Sequence, residues 1–241
     1  MPASSGEGAG AGSTGVADGT VTPVGVSLRI GDHDEQVTYR VRRVGGRWLL
    51  DDALASVDLS GRGAIPGLTV GGVTAGDATV IQVFPGALAW GSTNPYLDVT
   101  ADDVDGRAVV ALGGDQRPPR PLLSPVLSAA GTKAVDSAVT AYLRRCAQSR
   151  QARSSADRPG CVQRLYRSAR PGTVDWSAPS TLDALVRDLD PATPTRVEVF
   201  GSVAWTARYR ATYGGTGAAR VDQIMDGFVD LDARPVTYTP A

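Results

Sequence analysis

Apolar and polar residues alternate along much of the chain from Val24 onward, and this period is typical of β-strands with one buried face. The pattern occurs in two predicted strands, at Val24, Val26, Leu28 and Ile30 and at Val37, Tyr39 and Val41. A third predicted strand, Arg47–Leu50, follows a Gly45-Gly46 turn. We therefore predict an antiparallel meander over residues 23–60, either complete or as the end of an upstream α+β domain.

Short apolar stretches separated by turn residues continue through residues 61–116. Frequent glycine and proline between these stretches favour short strands, which we expect at 68–70, 79–84, 88–90, 96–100 and 108–112. This segment is predicted to form a small β-sandwich-like domain. Residues 117–126 hold four prolines and predict a stiff, extended connector. Residues 1–22 contain almost no bulky apolar side chains and predict a flexible linker.

A helical period appears in the third part of the chain, between residues 131 and 149. Apolar residues recur there three and four positions apart, without an interior proline, at Val135, Ala138, Val139, Tyr142, Leu143 and Cys146. The pattern predicts an α-helix in this stretch. A capping-box pattern at Ser180 and Asp183 predicts a second, short helix that ends near Leu189.

Long alternation then returns and predicts an antiparallel sheet. Val197, Val199, Val203, Trp205 and Tyr209 share one face of a long strand. Gly201 lies in phase with them and marks a bulge or bend. Asp226-Gly227 between apolar residues predicts a type I′ hairpin turn. Residues 127–241 are therefore expected to form an α+β domain, with a helix packed on a curved sheet, and the whole chain to be β-dominated.

Charge and hydropathy narrow the possible partners. The 24 basic and 25 acidic residues give a net charge of -1, so no electrostatic surface for nucleic acid is expected. No apolar run approaches the roughly 18 residues of a membrane span, and the N-terminus lacks the pattern of a secretory signal. We expect no direct membrane insertion within this chain.

Motifs that suggest catalysis or the binding of a cofactor or metal ion are weak. Residues 10–15 match a dinucleotide-binding fingerprint, but no strand and helix flank them. Asp103, Asp105 and Gly106 have calcium-loop spacing, yet Leu112 stands where the bidentate carboxylate is needed. The sole histidine, His33, lies between Asp32 and Asp34, which suggests a weak metal or acid/base role, but a tight polar turn commonly holds such residues in solvent, and no nucleophile elbow exists anywhere. We expect no enzyme, no metal site and no cofactor.

The two cysteines, Cys146 and Cys161, favour a disulfide, because their spacing is not that of a metal site and other soft ligands are lacking. The turn-forming segment 157–160 lets the chain reverse between them. Two free thiols in a reducing compartment remain the alternative. A disulfide indicates an oxidising compartment.

Several short motifs resemble C-terminal ectodomains of uncharacterised membrane proteins of high-GC Gram-positive bacteria. They are YRVRRVGGRWLL at 39–50, VFPG at 83–86, YLRRC at 142–146, PGC at 159–161 and VDW at 174–176. The resemblance implies a PEGA-like β-domain, an NTF2-like or cystatin-like α+β domain with paired cysteines, and anchorage through a transmembrane helix. The chain is then expected to be a fragment, or a late start, of a membrane-anchored protein at the extracytoplasmic face of the membrane or the cell surface.

Two functions follow as hypotheses. The first is a non-catalytic scaffold or protein-binding module of a bacterial cell envelope, with an unidentified protein or cell-wall partner. The alternative is a small-ligand or enzymatic pocket in the C-terminal domain, because NTF2-like sheets are conical. Trp176, Trp205, Tyr209 and Tyr213 are the expected lining of such a pocket. Aromatic residues of this kind are more often core.

The disulfide is tested by the mass of the secreted chain. We expect the intact mass to rise by two hydrogens on reduction, and alkylation to label Cys146 and Cys161 only after reduction. Labelling of both cysteines before reduction would contradict the prediction.

Overall fold

The computed structural model describes residues 17–30, 33–102 and 110–241, and in these residues the protein is β-dominated, with one α-helix. The helix is α1 (Ala129–Ala147). In chain order the strands are β1 (Val21–Ile30), β2 (His33–Val44), β3 (Arg47–Leu50), β4 (Ala55–Asp58), β5 (Leu68–Val70), β6 (Val73–Thr74), β7 (Val80–Val83), β8 (Gly86–Ala87), β9 (Trp90–Ser92), β10 (Leu97–Asp102), β11 (Val110–Ala111), β12 (Leu122–Leu127), β13 (Asp175–Ser177), β14 (Leu185–Leu189), β15 (Arg196–Arg210), β16 (Thr216–Asp230) and β17 (Tyr238–Pro240).

The chain divides into two compact units, each built from separate segments. The first unit contains the described residues of 1–60, 79–88 and 108–120, and the second those of 61–78, 89–107 and 121–241. The predicted domain boundaries differ from the borders of these units, because strands within residues 61–116 belong to both units. A border at Arg120 and Pro121 lies inside the predicted connector, although β12 already begins at Leu122. Local patterns do not reveal such long-range pairing.

The first unit is organised around the predicted meander, which is confirmed as a sheet in the order β1-β2-β3. Strand β1 begins at Val21, and Gly19 and Thr20 before it already pair with Arg43, so the last residues of the predicted linker are structured. Two short ladders, β4 with β7 and β8 with β11, complete the unit.

A small core holds one end of this meander. Val37 and Tyr39 of β2 are buried with Leu112, and the Tyr39 hydroxyl donates to the Leu112 carbonyl at 2.6 Å. Next to them, Asp115 makes two hydrogen bonds with Thr38. Its carboxylate accepts from the Thr38 N–H at 3.0 Å, and its own N–H donates to the Thr38 carbonyl at 3.2 Å. These contacts bring the segment after β11 against the free side of β2.

The second unit is dominated by a five-stranded antiparallel sheet. Its order is β13-β15-β16-β17, and β14 pairs with the same edge of β15 as β13 does, nearer the start of that strand. Strands β15 and β16 pair over 15 residues each, from Arg196↔Asp230 to Arg210↔Thr216. Smaller sheets join β5, β6 and β9, and β10 with β12.

Helix α1 covers one face of this sheet, and the predicted helix is confirmed. Ser128 caps it by accepting a hydrogen bond from the Gly131 N–H at 3.0 Å. Its apolar stripe enters one core with the odd-numbered residues of β15. The buried members from helix and strand are Val135, Ala138, Val139, Tyr142, Leu143, Cys146, Val197, Val199, Val203, Trp205 and Ala207.

The predicted short helix after Ser180 is wrong, because Leu185–Leu189 forms β14. The apolar positions of this segment fit both periods, and the open edge of β15 decides between them by offering a strand partner. Arg187 anchors the strand: its guanidinium pairs with Asp136 of α1 at 2.7 Å and donates to the carbonyls of Leu185 and Leu182.

The predicted hairpin turn at Asp226-Gly227 is also wrong. Strand β16 runs through both residues, which pair with Phe200 and Val199. The reversal lies instead at Gly214 and Gly215, both with positive φ, between β15 and β16. Long-range pairing with β15 therefore overrides a strong local turn signal.

The ladder between β15 and β16 runs through Gly201 without an extra residue, so the predicted bulge is absent, but the position is special. Its φ of +153° is unfavourable for other residues, and a Cβ there would collide with the Ala184 carbonyl oxygen. Glycine is thus required where the chain before β14 crosses close to β15.

We expect Gly201→Ala to lower the free energy of unfolding by about 2 kcal/mol, because it adds both backbone strain and a clash. Gly25→Ala in β1 is the matched control, since a Cβ there meets nothing within 4 Å. Urea unfolding measures both. A Gly201→Ala protein as stable as the wild type would contradict this account of β15.

Candidate functional site

The large sheet has a second, outer face that points away from α1. Along β15 burial alternates strictly: Val197 and Val199 are buried on the inner face, whereas Glu198 and Phe200 are exposed on the outer one. The same alternation holds in β16, where Met225 is buried and Ile224 is exposed. This outer face is the candidate site.

An apolar patch lies on the outer face, formed by Val186, Phe200, Ile224 and Phe228. Val186 pairs directly with Phe200 across β14 and β15. Ile224 and Phe228 flank the residue of β16 opposite Phe200, within the diagonal reach of its ring. Val186, Phe200 and Ile224 are 54%, 55% and 63% exposed. Grouped exposure of this kind is typical of interaction surfaces.

Three exposed carboxylates border the patch. Asp188 and Glu198 stand directly opposite each other on β14 and β15, and Asp226 stands opposite Phe200. Like charges directly opposed across strands destabilise a sheet. In the described part of the chain none of the three forms an ion pair. The patch therefore has an acidic border that an external cation can neutralise.

Arg196 shows how a cation is accommodated here. Its guanidinium carbon lies 3.8 Å from the centroid of the Phe228 ring, which is a cation–π contact. Arg196 also stands opposite Asp230 in the ladder. The outer face thus already holds one arginine over an aromatic ring beside carboxylates.

The predicted pocket residues Trp176 and Trp205 are brought together, but inside the core. They are 4% and 2% exposed, and their rings meet edge to face with centroids 6.1 Å apart. The Trp176 indole N–H donates to the Gln151 carbonyl at 3.0 Å. Both side chains fill the space between the sheet and its cover.

Tyr209 packs against the border of this core, whereas Tyr213 lies away from it. The half-buried Tyr209 ring covers Gly217 on the next strand, where an added Cβ would lie 2.6 Å from the ring. Tyr213 is 96% exposed in the turn after β15. The structure does not bring Tyr213 to the two tryptophans.

The predicted disulfide joins Cys146 and Cys161, with 5.5 Å between their Cα atoms. It links the last turn of α1 to the irregular segment that precedes β13, rather than to the sheet itself. The buried Gln163 side chain donates to the Cys146 carbonyl at 2.8 Å, and the Tyr142 hydroxyl donates to the Gly160 carbonyl at 2.8 Å. We call the disulfide and these two bonds the disulfide clasp.

Asp157 supports the disulfide clasp from outside. Desolvation raises its pKa, but it is outweighed by the sum of hydrogen bonds from the Ser149 hydroxyl at 2.6 Å, the Arg150 N–H at 3.1 Å and the Asp157 backbone, and the positive charge of Arg158. The pKa of Asp157 consequently lies below its ordinary value of 3.8. The carboxylate holds the chain that leaves α1 in its turn.

Two buried tyrosines have raised pKa values. Burial raises the pKa of Tyr142 and, more strongly, that of Tyr238, and their rings lie 4.7 Å apart. Both phenols therefore stay protonated at neutral pH. Since the Tyr142 hydroxyl donates to the Gly160 carbonyl, its role is in the clasp.

The weak sequence motifs give no site in the described residues. The fingerprint at 10–15 and the acidic stretch at 103–106 lie outside the described residues, as do Asp32 and the side chain of His33. The described neighbour Asp34 is exposed and faces Arg29 at 3.9 Å, a weak surface pair.

Sequence reasoning missed the outer face. Phe200 is an apolar residue at a polar position of the β15 alternation, and this signal was available. Val186 and Asp188 lie in the segment predicted as a helix, and Ile224 and Phe228 flank the predicted hairpin turn. The sequence patterns therefore did not assign these residues to one face of a sheet. Only the register of the sheet brings these residues together.

We expect Asp157→Asn to lower the free energy of unfolding at pH 7 by about 0.5 to 1 kcal/mol, because an amide keeps only part of the hydrogen bonding. A carboxylate whose pKa is lower in the folded state than in the unfolded state contributes its full stabilisation above the unfolded-state pKa. That contribution is lost as the pH falls through the folded-state pKa. The difference from wild type should therefore shrink below the ordinary pKa.

Urea unfolding from neutral to acidic pH measures this difference. Asp183→Asn is the control, since Asp183 is exposed and, within the described residues, makes no hydrogen bond or ion pair. An Asp157→Asn effect that does not change with pH would contradict the assigned role.

In comparisons with known proteins, no family model, no curated protein and no solved structure matches the chain. The PEGA-like and NTF2-like or cystatin-like resemblances therefore stay predictions, whereas the β-dominated α+β architecture is observed. Across residues 17–30, 33–102 and 110–241, no helix combines the length and apolar character needed to cross a bilayer.

Proposed function

We propose that this chain is a non-catalytic protein-binding module of a bacterial cell envelope, exposed on the extracytoplasmic side. The observation that carries the proposal is the outer face of the large sheet. It combines an exposed apolar patch around Phe200 with the carboxylates Asp188, Glu198 and Asp226. Apolar contact supplies affinity at such a surface, and the charges select the partner and its orientation.

The partner that fits this face is a protein surface with apolar and basic groups. A basic side chain between Asp188 and Glu198 relieves their repulsion, and an arginine can also stack on Phe200, as Arg196 does on Phe228. Arginine and aromatic side chains are enriched in the energetic centres of protein interfaces. The face is rigid, since β15 pairs along both edges.

The disulfide clasp supports the compartment. A disulfide that is buried with Cys146 and Cys161 at 0% and 2% exposure forms and persists in oxidising surroundings. The resemblance to bacterial ectodomains points to the same location.

The alternative of a small-ligand or enzymatic pocket has less support. Trp176 and Trp205, its expected lining, contact each other in the core, and Tyr213 projects into solvent. The raised pKa values of Tyr142 and Tyr238 disfavour proton transfer near neutral pH.

Site-specific photocrosslinking in intact cells tests the binding surface. We expect a photoreactive residue at position 200 to give a discrete protein adduct outside the cytoplasm. A charge-reversed background, Glu198→Arg with Asp226→Arg, should reduce the adduct about tenfold, because it repels a basic partner.

Position 73 is the matched control, because Val73 is also an exposed apolar strand residue, at 73%. Equal adducts at positions 73 and 200, or an adduct at 200 that survives charge reversal, would contradict the proposed surface. Cytosolic residence of the chain would contradict the proposed compartment.

A further inference from the structure

Strand β3 of the first unit is an open sheet edge. It pairs with β2 on one side, and within the described residues no strand pairs with its other side. Exposed apolar edges tend to add a further strand, and proteins usually block them with charge, proline or a covering segment. In β3 the single charged residue, Arg47, stands at the start of the strand.

Large apolar side chains are exposed on both faces of this edge. Trp48 and Leu50 are 47% and 52% exposed and lie on the face that carries Tyr39 and Val41. Leu49, also 52% exposed, lies on the opposite face. Burying both faces therefore requires a neighbour in the plane of the sheet, and a cover on one face cannot do it.

The sequence of the edge is complementary to itself when reversed. Residues 47–51 read Arg-Trp-Leu-Leu-Asp, so an antiparallel copy centred on Leu49 places Arg47 opposite Asp51 and Trp48 opposite Leu50. The two ion pairs fall on the face with the Leu49 pair, and the two Trp–Leu pairs on the other. Opposite charges and aromatic–aliphatic pairs at directly opposed positions stabilise antiparallel strands.

We propose that β3 pairs antiparallel with β3 of a second copy of this chain, about a two-fold axis at Leu49. The pairing joins two three-stranded meanders into one continuous six-stranded sheet. An isologous contact of this kind closes the assembly at a dimer. It uses the first unit only and does not depend on the proposed binding face of the second.

The position and hydrogen bonds of Asp51 suit this contact. Its Oδ1 atom accepts from Arg42 at 2.7 Å, and its N–H donates to the Arg40 carbonyl at 2.8 Å, so the residue continues the β3 ladder. Its side chain is 24% exposed. The second carboxylate oxygen has no partner among the described residues and is left for Arg47 of the second copy.

The dimer is weak, because a pairing of five residues buries less than about 1,000 Å². Sedimentation of the full chain must therefore extend to about 500 μM. We expect the average mass to rise toward that of a dimer with concentration. A chain that stays monomeric over this range would overturn the proposal.

Complementary charge variants test the register. Arg47→Asp places four carboxylates at the contact and Asp51→Arg four guanidinium groups, so each variant alone should dimerise about tenfold more weakly. An equimolar mixture restores both ion pairs and should associate as well as the wild type. A mixture no more associated than the separate variants would overturn the register, and circular dichroism verifies that each variant is folded.

A cysteine variant gives an independent measurement. Leu49→Cys places two thiols across the two-fold axis, within the Cα separation of about 4.4 to 6.8 Å that a disulfide needs. Val44→Cys is the control: Val44 is 49% exposed in the same hairpin, yet the two copies of its strand alone lie three strand spacings, about 14 Å, apart. We expect Leu49→Cys to crosslink about tenfold faster on mild oxidation, whereas equal rates would overturn the proposed pairing.

Discussion

The pairing of β15 with β16 is the constraint on which the second unit depends. These strands bond over 15 residues each, and β13, β14 and β17 attach to their outer edges. Helix α1 packs on the face that this pair presents. Because the side-chain period of a strand is two, a slip of one residue would send either Trp205 of β15 or Met225 of β16 to solvent. Burial of one face therefore holds the register.

The same register creates the functional surface. Once the odd-numbered side chains of β15 are committed to the core, Glu198 and Phe200 must face outward. Pairing with β14 then adds Val186 and Asp188, and pairing with β16 adds Ile224 and Asp226. The apolar patch and its carboxylates are thus a consequence of how the core is built, and the disulfide clasp on the other side stiffens the support.

The first unit follows a different arrangement. Its meander buries Val37 and Tyr39 at one end, whereas Trp48, Leu49 and Leu50 of its last strand stay exposed. A sheet that ends in an apolar strand whose outer edge has no strand partner among the described residues keeps both hydrogen-bonding groups and apolar area available. Each unit therefore has its own open surface, a face in one and an edge in the other, and each fits a different kind of partner.

Local patterns in the sequence were enough for the meander, for α1 and for the pairing of the only two cysteines, because these features depend on residues close in the chain or on a count. They also identified the inner face of β15. The tertiary structure alone decided that Leu185–Leu189 is a strand and that Asp226 and Gly227 continue one. Hydrogen bonding to β15 outweighs local propensity at both places, and cross-strand register, which no local pattern contains, assembles the patch around Phe200.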